Sequence, residues 1–121
     1  MNAPDLQFIE AMERAVGSGD ERQAANYLAK DVRYTVGARS PVQGIAAVIA
    51  YGVEQGRRAC WDGHTVRNVT RDGDLLVVEV DSHFTRVADG ARVSFPCADF
   101  YRFKDGRIRD WQVYADMSPI S

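Results

Sequence analysis

The chain has 121 residues, of which 45% are hydrophobic and 26% are charged, and its formal net charge is −2. This length fits one globular domain, residues 1–121, that can bury a core without disulfides or metal ions. Because the charges are interspersed and form no basic run, neither a nucleic-acid partner nor a membrane-surface role is expected. The acidic amino terminus and the lack of a long apolar segment predict a cytoplasmic protein.

The amino-terminal part of the sequence predicts two helices. Residues 5–16 carry apolar side chains at helical spacing and are followed by glycines, which is typical of an amphipathic helix. Asp20 and Gln23 resemble a capping box, which predicts a second, short helix that ends before Asp31. The apolar stripe of the first helix must cover another part of the fold.

A short strand and a third helix are predicted next. Val32, Tyr34 and Val36 alternate with polar residues, as a half-buried strand does. Pro41 lies in a second capping signature, at the position expected for the first residue of a helix. This third helix is predicted to end at Gly56.

The second half of the sequence has a different character. The Asp-Gly pairs at 72–73, 89–90 and 105–106 separate runs rich in Val, Phe and Tyr, and each of them indicates a hairpin. Four long strands are predicted, at residues 64–71, 75–87, 92–104 and 107–116. Helices followed by an antiparallel meander predict an α+β fold.

One strand face carries a single charge, at Asp99. The alternate residues from Val93 to Phe103 are otherwise apolar, so this face is expected to point inward. A buried carboxylate requires a hydrogen-bonding partner, a raised pKa, or a wet cavity in which it acts on a ligand. Asp99 is therefore predicted to be a general acid or a hydrogen-bond donor in a pocket. The alternative is a structural carboxylate that a buried tyrosine or backbone group satisfies.

The pairing of the two central strands decides which side chains join Asp99. If the Asp-Gly pair at 89–90 forms a two-residue turn, Val80 lies opposite Asp99. His83 then falls on the other face of the sheet, whereas Trp111 lies near Asp99. A bulge or a one-residue slip would place His83 on the same face as Asp99, so a His83 and Asp99 dyad stays as an alternative.

The segment from Ala98 to Asp116, ADFYRFKDGRIRDWQVYAD, resembles the closing hairpin of the ketosteroid isomerase and SnoaL-like polyketide cyclase group. This group belongs to the nuclear transport factor two-like superfamily, and its order of elements matches nearly the whole chain. The resemblance implies a cone-shaped, strongly curved antiparallel sheet packed on three N-terminal helices, a cystatin-like α+β barrel. It also implies an apolar pocket and a homodimer that forms through the outer face of the sheet.

Some positions of this sequence match functional residues of the group, and others do not. Asp99 falls where the isomerases have an oxyanion-hole aspartate and the cyclases an acid/base aspartate. Met12 and Val36 stand where the isomerases have a tyrosine and a second aspartate, so steroid isomerisation is not expected. Asp116 resembles the ending of limonene-epoxide-hydrolase-like members. Those members need an arginine that bridges two aspartates, but Val80 and Ser82 occupy the strand region where that arginine and aspartate are expected.

The candidate site combines these inferences. Asp99 and Tyr34 are the predicted catalytic residues. His83 is kept as an alternative because scytalone-dehydratase-like relatives use a histidine, and Asp116 because of its resemblance to the ending of limonene-epoxide-hydrolase-like members. His83 can instead contact a partner subunit. The predicted substrate-binding residues are Met12, Tyr51, Trp61, Phe84, Cys97, Tyr101 and Trp111.

The sequence thus predicts a small-molecule enzyme of the isomerase, cyclase or dehydratase type. It would act by acid/base chemistry on a hydrophobic, carbonyl-containing metabolite, without a cofactor or metal ion. Cys60 and Cys97 are expected to be reduced thiols, because their spacing fits no metal site. The alternative is a non-catalytic module that binds a hydrophobic ligand or dimerises, since one clear charge is expected in the pocket.

Overall fold

Three helices and six strands make up the computed structural model, which describes residues 3–121. The predicted α+β class, with helices packed on a curved, unclosed sheet, is confirmed. The elements in chain order are α1 (Ala3–Gly17), α2 (Glu21–Ala24), β1 (Leu28–Val36), β2 (Val42–Gln43), α3 (Ile45–Gly56), β3 (Ala59–Asp72), β4 (Leu75–Arg86), β5 (Arg92–Lys104) and β6 (Arg107–Tyr114), before a 3-10 turn (Ser118–Ile120).

The strands lie in the order β2-β1-β6-β5-β4-β3. All neighbours are antiparallel except β1 and β6, which run parallel, so the prediction of a wholly antiparallel sheet is wrong at this pair. Strand β3 lies at the far edge of the sheet, and the hairpins that follow place β4, β5 and β6 one beside the next. Strand β6 therefore lies next to β1. Bulges interrupt the pairing of β3 with β4 and of β5 with β6, and bulges bend and twist a sheet.

The core lies between the inner face of this sheet and the helices. Its apolar side chains are the ones that alternate along the strands or recur at helical spacing. The largest fully buried side chains are Tyr101, Ile9, Met12, Leu28, Leu76, Ile108, Val32, Val48 and Val78. Within residues 3–121, none of the helices has the length and apolar character that crossing a membrane requires.

The second helix is shorter than predicted. Asp20 caps it as expected, since its Oδ1 accepts a hydrogen bond from the Arg22 backbone N–H at 2.9 Å. The helix ends at Ala24, however, and Leu28 begins β1. Leu28 pairs with Ile108 of β6 and is buried, so pairing between distant strands outweighs the local helical pattern.

The third helix begins later than predicted. Pro41 is not its first residue, because Val42 and Gln43 form β2 and pair with β1. Gly44 precedes the helix with φ of 94°, a conformation that glycine adopts without steric cost. The capping signature therefore marks the turn into an edge strand, and the helix starts at Ile45.

Two of the predicted strand limits also move. The third strand begins at Ala59 instead of residue 64, because Ala59 pairs with Arg86 at the far end of β4. The last strand ends at Tyr114 instead of residue 116.

The loop between β4 and β5 is longer than the two-residue turn that was predicted. The Arg86 backbone N–H donates to the Ala91 carbonyl at 2.8 Å, which leaves residues 87–90 in the loop. Val78 therefore pairs with Asp99, and the predicted partner Val80 pairs elsewhere. The pairing shifts by two residues, and a shift of two leaves each side chain on its predicted face.

His83 lies on the outer face of the sheet. Its Nε2 is 2.8 Å from Thr65 Oγ1 and its Nδ1 is 2.6 Å from Ser94 Oγ. Both ring nitrogens thus contact hydroxyl groups of neighbouring strands. The alternative of a His83 and Asp99 dyad is therefore wrong.

Candidate functional site

A cavity of about 380 Å³ lies between the inner face of the sheet and helices α1 and α3. This volume is in the range of pockets that bind small organic molecules. Much of the wall is aromatic, from Tyr34, Tyr51, Trp61, Phe84, Phe95 and Trp111. The polar side chains in the wall are Glu13, Gln55, His64, Ser82, Cys97 and Asp99.

Asp99 faces this cavity from β5. Its Oδ2 accepts two hydrogen bonds, from the Tyr101 hydroxyl at 3.0 Å and from Trp111 Nε1 at 3.3 Å. Within residues 3–121, Oδ1 has no hydrogen-bond donor, and no unsatisfied side-chain oxygen is fully buried. One oxygen is therefore held by the protein, and the other is accessible from the cavity.

Ordinary strand geometry assembles this group. Tyr101 follows Asp99 by two residues and so shares its face, and Trp111 lies directly opposite Tyr101 on β6. Tyr101 was predicted to contact the substrate, but it is 1% exposed and lies outside the cavity wall. Its hydroxyl instead supports Asp99.

Two opposing effects set the ionisation of Asp99. Burial raises its pKa to about 6, and the hydrogen bonds from Tyr101 and Trp111 oppose that rise because they favour the charged form. The carboxylate is therefore largely ionised at neutral pH. This arrangement favours a proton acceptor over the neutral hydrogen-bond donor that the isomerase resemblance implies.

Glu13 provides a second carboxyl group in the cavity, and it is not among the site residues predicted from the sequence. It projects from α1 with its side chain 15% exposed. Burial, followed by the charge of Asp99, raises its pKa to about 8. A signal was present in the sequence, because Glu13 lies four residues after Ile9 and three before Val16, within the apolar stripe of the helix.

His64 lies beside Glu13. It lies within β3, with its side chain 10% exposed. Its Nδ1 is 3.7 Å from Glu13 Oε2, which is too long for a direct hydrogen bond. Burial lowers the pKa of His64, so both groups are largely neutral at pH 7 and form no ion pair.

Three rings of the aromatic wall, those of Tyr34, Tyr51 and Trp111, pack against one another. The Tyr34 ring lies 4.3 Å from the Trp111 ring and 5.4 Å from the Tyr51 ring, measured between centroids. Burial raises the pKa of Tyr34 well above its ordinary value, so its hydroxyl stays protonated and can donate a hydrogen bond.

The other predicted wall residues also line the cavity. Trp61 is 45% exposed and packs edge-on to His64, with 5.6 Å between ring centroids. Phe84 stacks on Phe95. Burial raises the pKa of the Cys97 thiol, so it contributes a small apolar surface and no reactive thiolate.

Besides Tyr101, three predicted site residues lie away from the cavity wall. Met12 is fully buried in the core and is not part of the wall. His83 lies on the outer face, as described above. Asp116 is exposed beyond the end of β6, where its Oδ1 accepts a hydrogen bond from the Ser118 backbone N–H at 3.0 Å. The next residue, Met117, lines the cavity, whereas the exposed Asp116 side chain is bonded to the Ser118 backbone.

Cys60 is exposed and Cys97 is buried, and both are free thiols. No cluster of three or more His, Cys, Asp or Glu side chains suited to a metal ion occurs within residues 3–121.

The model of the SnoaL-like domain family matches residues 9–111. The chain belongs to this family. The superfamily that the sequence resemblance predicted is therefore confirmed. A comparison of this SnoaL-like domain with curated proteins gives no match.

Solved structures share the fold. An NTF2-like protein of unknown function from Burkholderia pseudomallei superimposes with a TM-score of 0.80 at 20% identity, over 94% of this chain and 92% of that one. A structure described as a SnoaL-like polyketide cyclase from Jannaschia sp. gives 0.76 at 18% identity, over 95% and 89%. A protein with a ketosteroid isomerase-like fold from Catenulispora acidiphila gives 0.78 at 16% identity, over 93% and 88%. At these identities the similarity shows the fold alone.

Proposed function

We propose that this SnoaL-like protein is an enzyme that transfers protons on a hydrophobic, carbonyl-containing small molecule, with the Asp99 carboxylate as the proton acceptor. The observation that carries the proposal is the geometry of this carboxylate in an aromatic cavity. Two donors hold Oδ2, and Oδ1 is accessible from the cavity. Removal of a proton from the carbon next to a carbonyl group needs such a positioned base.

The cavity wall suits the body of such a substrate. Aromatic side chains provide apolar surface for a flat molecule. We assign the protonated hydroxyl of Tyr34 as a second polar contact, and Tyr51, Trp61, Phe84 and Cys97 as apolar contacts. Water is largely displaced when the ligand fills the cavity, which strengthens hydrogen bonds to developing charge.

The proposed chemistry consists of proton transfers alone, so the scheme uses no cofactor. The carbonyl group of the substrate receives the electron pair that the broken C–H bond releases. Isomerisation, cyclisation and dehydration of carbonyl compounds can all start from this step. The free thiol of exposed Cys60 is consistent with a reducing compartment, so we place the enzyme in the cytoplasm.

The test is exchange of the acidic hydrogens of 2-tetralone, an apolar bicyclic ketone, for deuterium in D₂O, followed by NMR. We expect the wild-type protein to accelerate exchange and Asp99→Asn to lower the rate about 10²- to 10⁴-fold, the usual contribution of a general base. Asp31→Asn is the matched control, because Asp31 is exposed on β1.

The same experiment separates the proposal from its alternative. If 2-tetralone binds and the wild-type protein leaves exchange at the background rate, the proposal fails and the protein is a ligand-binding module. If Asp99→Asn retains the wild-type rate, Asp99 is not the base.

We also propose that two copies of the chain pair through the outer face of the sheet. Phe100 and Tyr114 lie side by side on that face, with 5.1 Å between ring centroids, and Tyr114 is 57% exposed. Exposed aromatic pairs beside polar residues are typical of protein interfaces. The outer surface of this sheet is remote from the cavity, so pairing would leave the site open.

A further inference from the structure

Two carboxyl groups, from different elements, face one cavity. Glu13 projects from helix α1 and Asp99 from strand β5, and they are the acidic residues among the cavity-lining side chains of residues 3–121. The helix and the sheet form separate walls, so a ligand in the cavity can contact both groups. Of these two carboxyl groups within residues 3–121, Asp99 is the one that accepts hydrogen bonds from protein side chains, those of Tyr101 and Trp111.

Glu13 has the features of a group that acts on a ligand. His64 lies beside it, but the 3.7 Å between His64 Nδ1 and Glu13 Oε2 is too long for a hydrogen bond. No unsatisfied side-chain oxygen within residues 3–121 is fully buried, so the Glu13 oxygens are accessible from the cavity. A mostly buried carboxyl group without a hydrogen bond from the protein costs stability, which a purely structural role does not explain.

We infer that Glu13 is a second catalytic residue, which donates its proton to the carbonyl oxygen of the substrate while Asp99 removes a proton from the adjacent carbon. This inference rests on the proposed function. It restricts the substrate to a compound that presents a carbonyl oxygen toward α1 and an acidic C–H bond toward β5. Aldehydes, ketones and esters with a hydrogen on the α carbon meet this condition, whereas carbonyl compounds without one do not.

The surroundings of Glu13 and Asp99 keep the first protonated and leave the second ionised near neutral pH. Burial and the charge of Asp99 keep Glu13 protonated, and Glu10 acts in the same direction while Arg14 opposes it. His64, facing from β3, is neutral because burial lowers its pKa. Two nearby carboxyl groups that do not ionise together provide one base and one acid at the same pH.

The proton transfers balance without another reactant. Asp99 takes the proton from the α carbon, and the electron pair of that C–H bond forms a C=C bond. The π electrons of the carbonyl group then take the proton of Glu13, which gives an enol, neutral Asp99 and ionised Glu13. Return of the Asp99 proton to the α carbon, or to the γ carbon of an unsaturated substrate, regenerates the carbonyl group as Glu13 recovers its proton. When the Asp99 carboxyl group exchanges its proton with solvent before the return step, the net result at the α carbon is hydrogen exchange. Return to the γ carbon gives a shift of the double bond.

The test again uses deuterium exchange into 2-tetralone, with Glu13→Gln as the variant. Glutamine keeps the size and can donate a hydrogen bond, but it cannot transfer a proton. We expect kcat to fall about 10- to 100-fold, with KM changed less than threefold, and the alkaline decline of the pH profile to disappear. Glu21→Gln is the control, because Glu21 is exposed at the start of α2.

Glu13→Asp and the binding of 2-naphthol, a stable mimic of the enol, separate catalysis from folding. If Glu13→Gln binds 2-naphthol and loses kcat, and Glu13→Asp recovers part of kcat and the alkaline decline, the inference holds. If Glu13→Gln retains kcat and the alkaline decline while Asp99→Asn fails to accelerate exchange, the inference fails and the proposed function stands. If the wild-type protein binds 2-tetralone but does not accelerate exchange, the proposed function fails, and the inference about Glu13 fails with it.

Discussion

At Asp99, the protein balances desolvation against hydrogen bonding. Burial alone would hold the carboxyl group protonated, and the donors Tyr101 and Trp111 return part of the stability of the charged form. The resulting pKa of about 6 suits a base, because the group is ionised near neutral pH and still binds a proton well. A surface aspartate would be ionised as well but would be a much weaker base.

The pH dependence of exchange follows from the two carboxyl groups. Activity should rise as pH increases through about 6, where Asp99 loses its proton, and fall through about 8, where Glu13 loses its own. Trp111→Phe removes one donor to the charged form of Asp99, so its pKa should rise and the acidic limb should move up by about one pH unit. The measurement is kcat/KM for 2-tetralone exchange from about pH 5 to about pH 9.

Tyr101→Phe should move the same limb in the same direction, because Tyr101 donates to the same oxygen. Tyr114→Phe is the control, since Tyr114 lies on the outer face and leaves Asp99 untouched. An acidic limb that stays in place in both donor variants would show that it reports a group other than Asp99.

Helix α1 combines a structural and a chemical role in adjacent residues. Met12 is fully buried against the sheet, and Glu13 reaches the cavity. Consecutive residues differ by about 100° around a helix, so one face can meet the core while its edge meets the pocket. The packing of Met12 thereby fixes the position of the Glu13 carboxyl group.

Met12→Ala should lower the free energy of unfolding by about 2–5 kcal/mol, the usual cost of removing a buried large side chain. Urea denaturation measures this change. Gln7→Ala on the exposed face of the same helix should change it by less than about 0.5 kcal/mol. Weakened 2-naphthol binding in Met12→Ala at unchanged stability would instead return Met12 to the substrate-binding residues predicted from the sequence.

For the molecule as a whole, the curved sheet divides the side chains into two populations. The inner face supplies the core and the cavity, and the outer face carries polar networks together with the aromatic pair of Phe100 and Tyr114. The polar networks include the ion pair of Arg67 and Asp81, with 2.7 Å between Arg67 Nη2 and Asp81 Oδ2. Substitutions on the outer face can therefore alter the proposed dimer without altering the cavity, and substitutions in the cavity can leave the dimer unchanged.

Replacement of Tyr114 by lysine should dissociate the proposed dimer, because it places a hydrated charge in the centre of the aromatic pair. Sedimentation analysis should find a dimer for the wild-type protein and a 13.5 kDa monomer for the variant. Val87→Lys is the control, because Val87 is equally exposed but lies in the loop that follows β4. A wild-type monomer, or a variant that stays dimeric, would contradict pairing through this face.

Local patterns were sufficient to place much of this fold. Alternation assigned Asp99 to the inner face and His83 to the outer one, even though the predicted pairing of β4 with β5 was displaced by two residues. Each side chain keeps its face under such a shift, because the strand repeat is two residues. The Asp-Gly pairs at 72–73, 89–90 and 105–106 likewise marked the three hairpins, because those turns need residues that tolerate positive φ.

Contacts between distant elements settled the rest. Leu28 joined a strand, β1 met β6 in parallel, and Glu13 came to lie beside His64 in the cavity shared with Asp99. A residue's neighbours along the chain report which side of its own element it occupies. They do not report which other element packs there, because that depends on how the apolar faces of the entire chain are buried together. The alternating pattern therefore identified Asp99 as an unusual residue, and the folded arrangement supplied Tyr101, Trp111 and Glu13 around it.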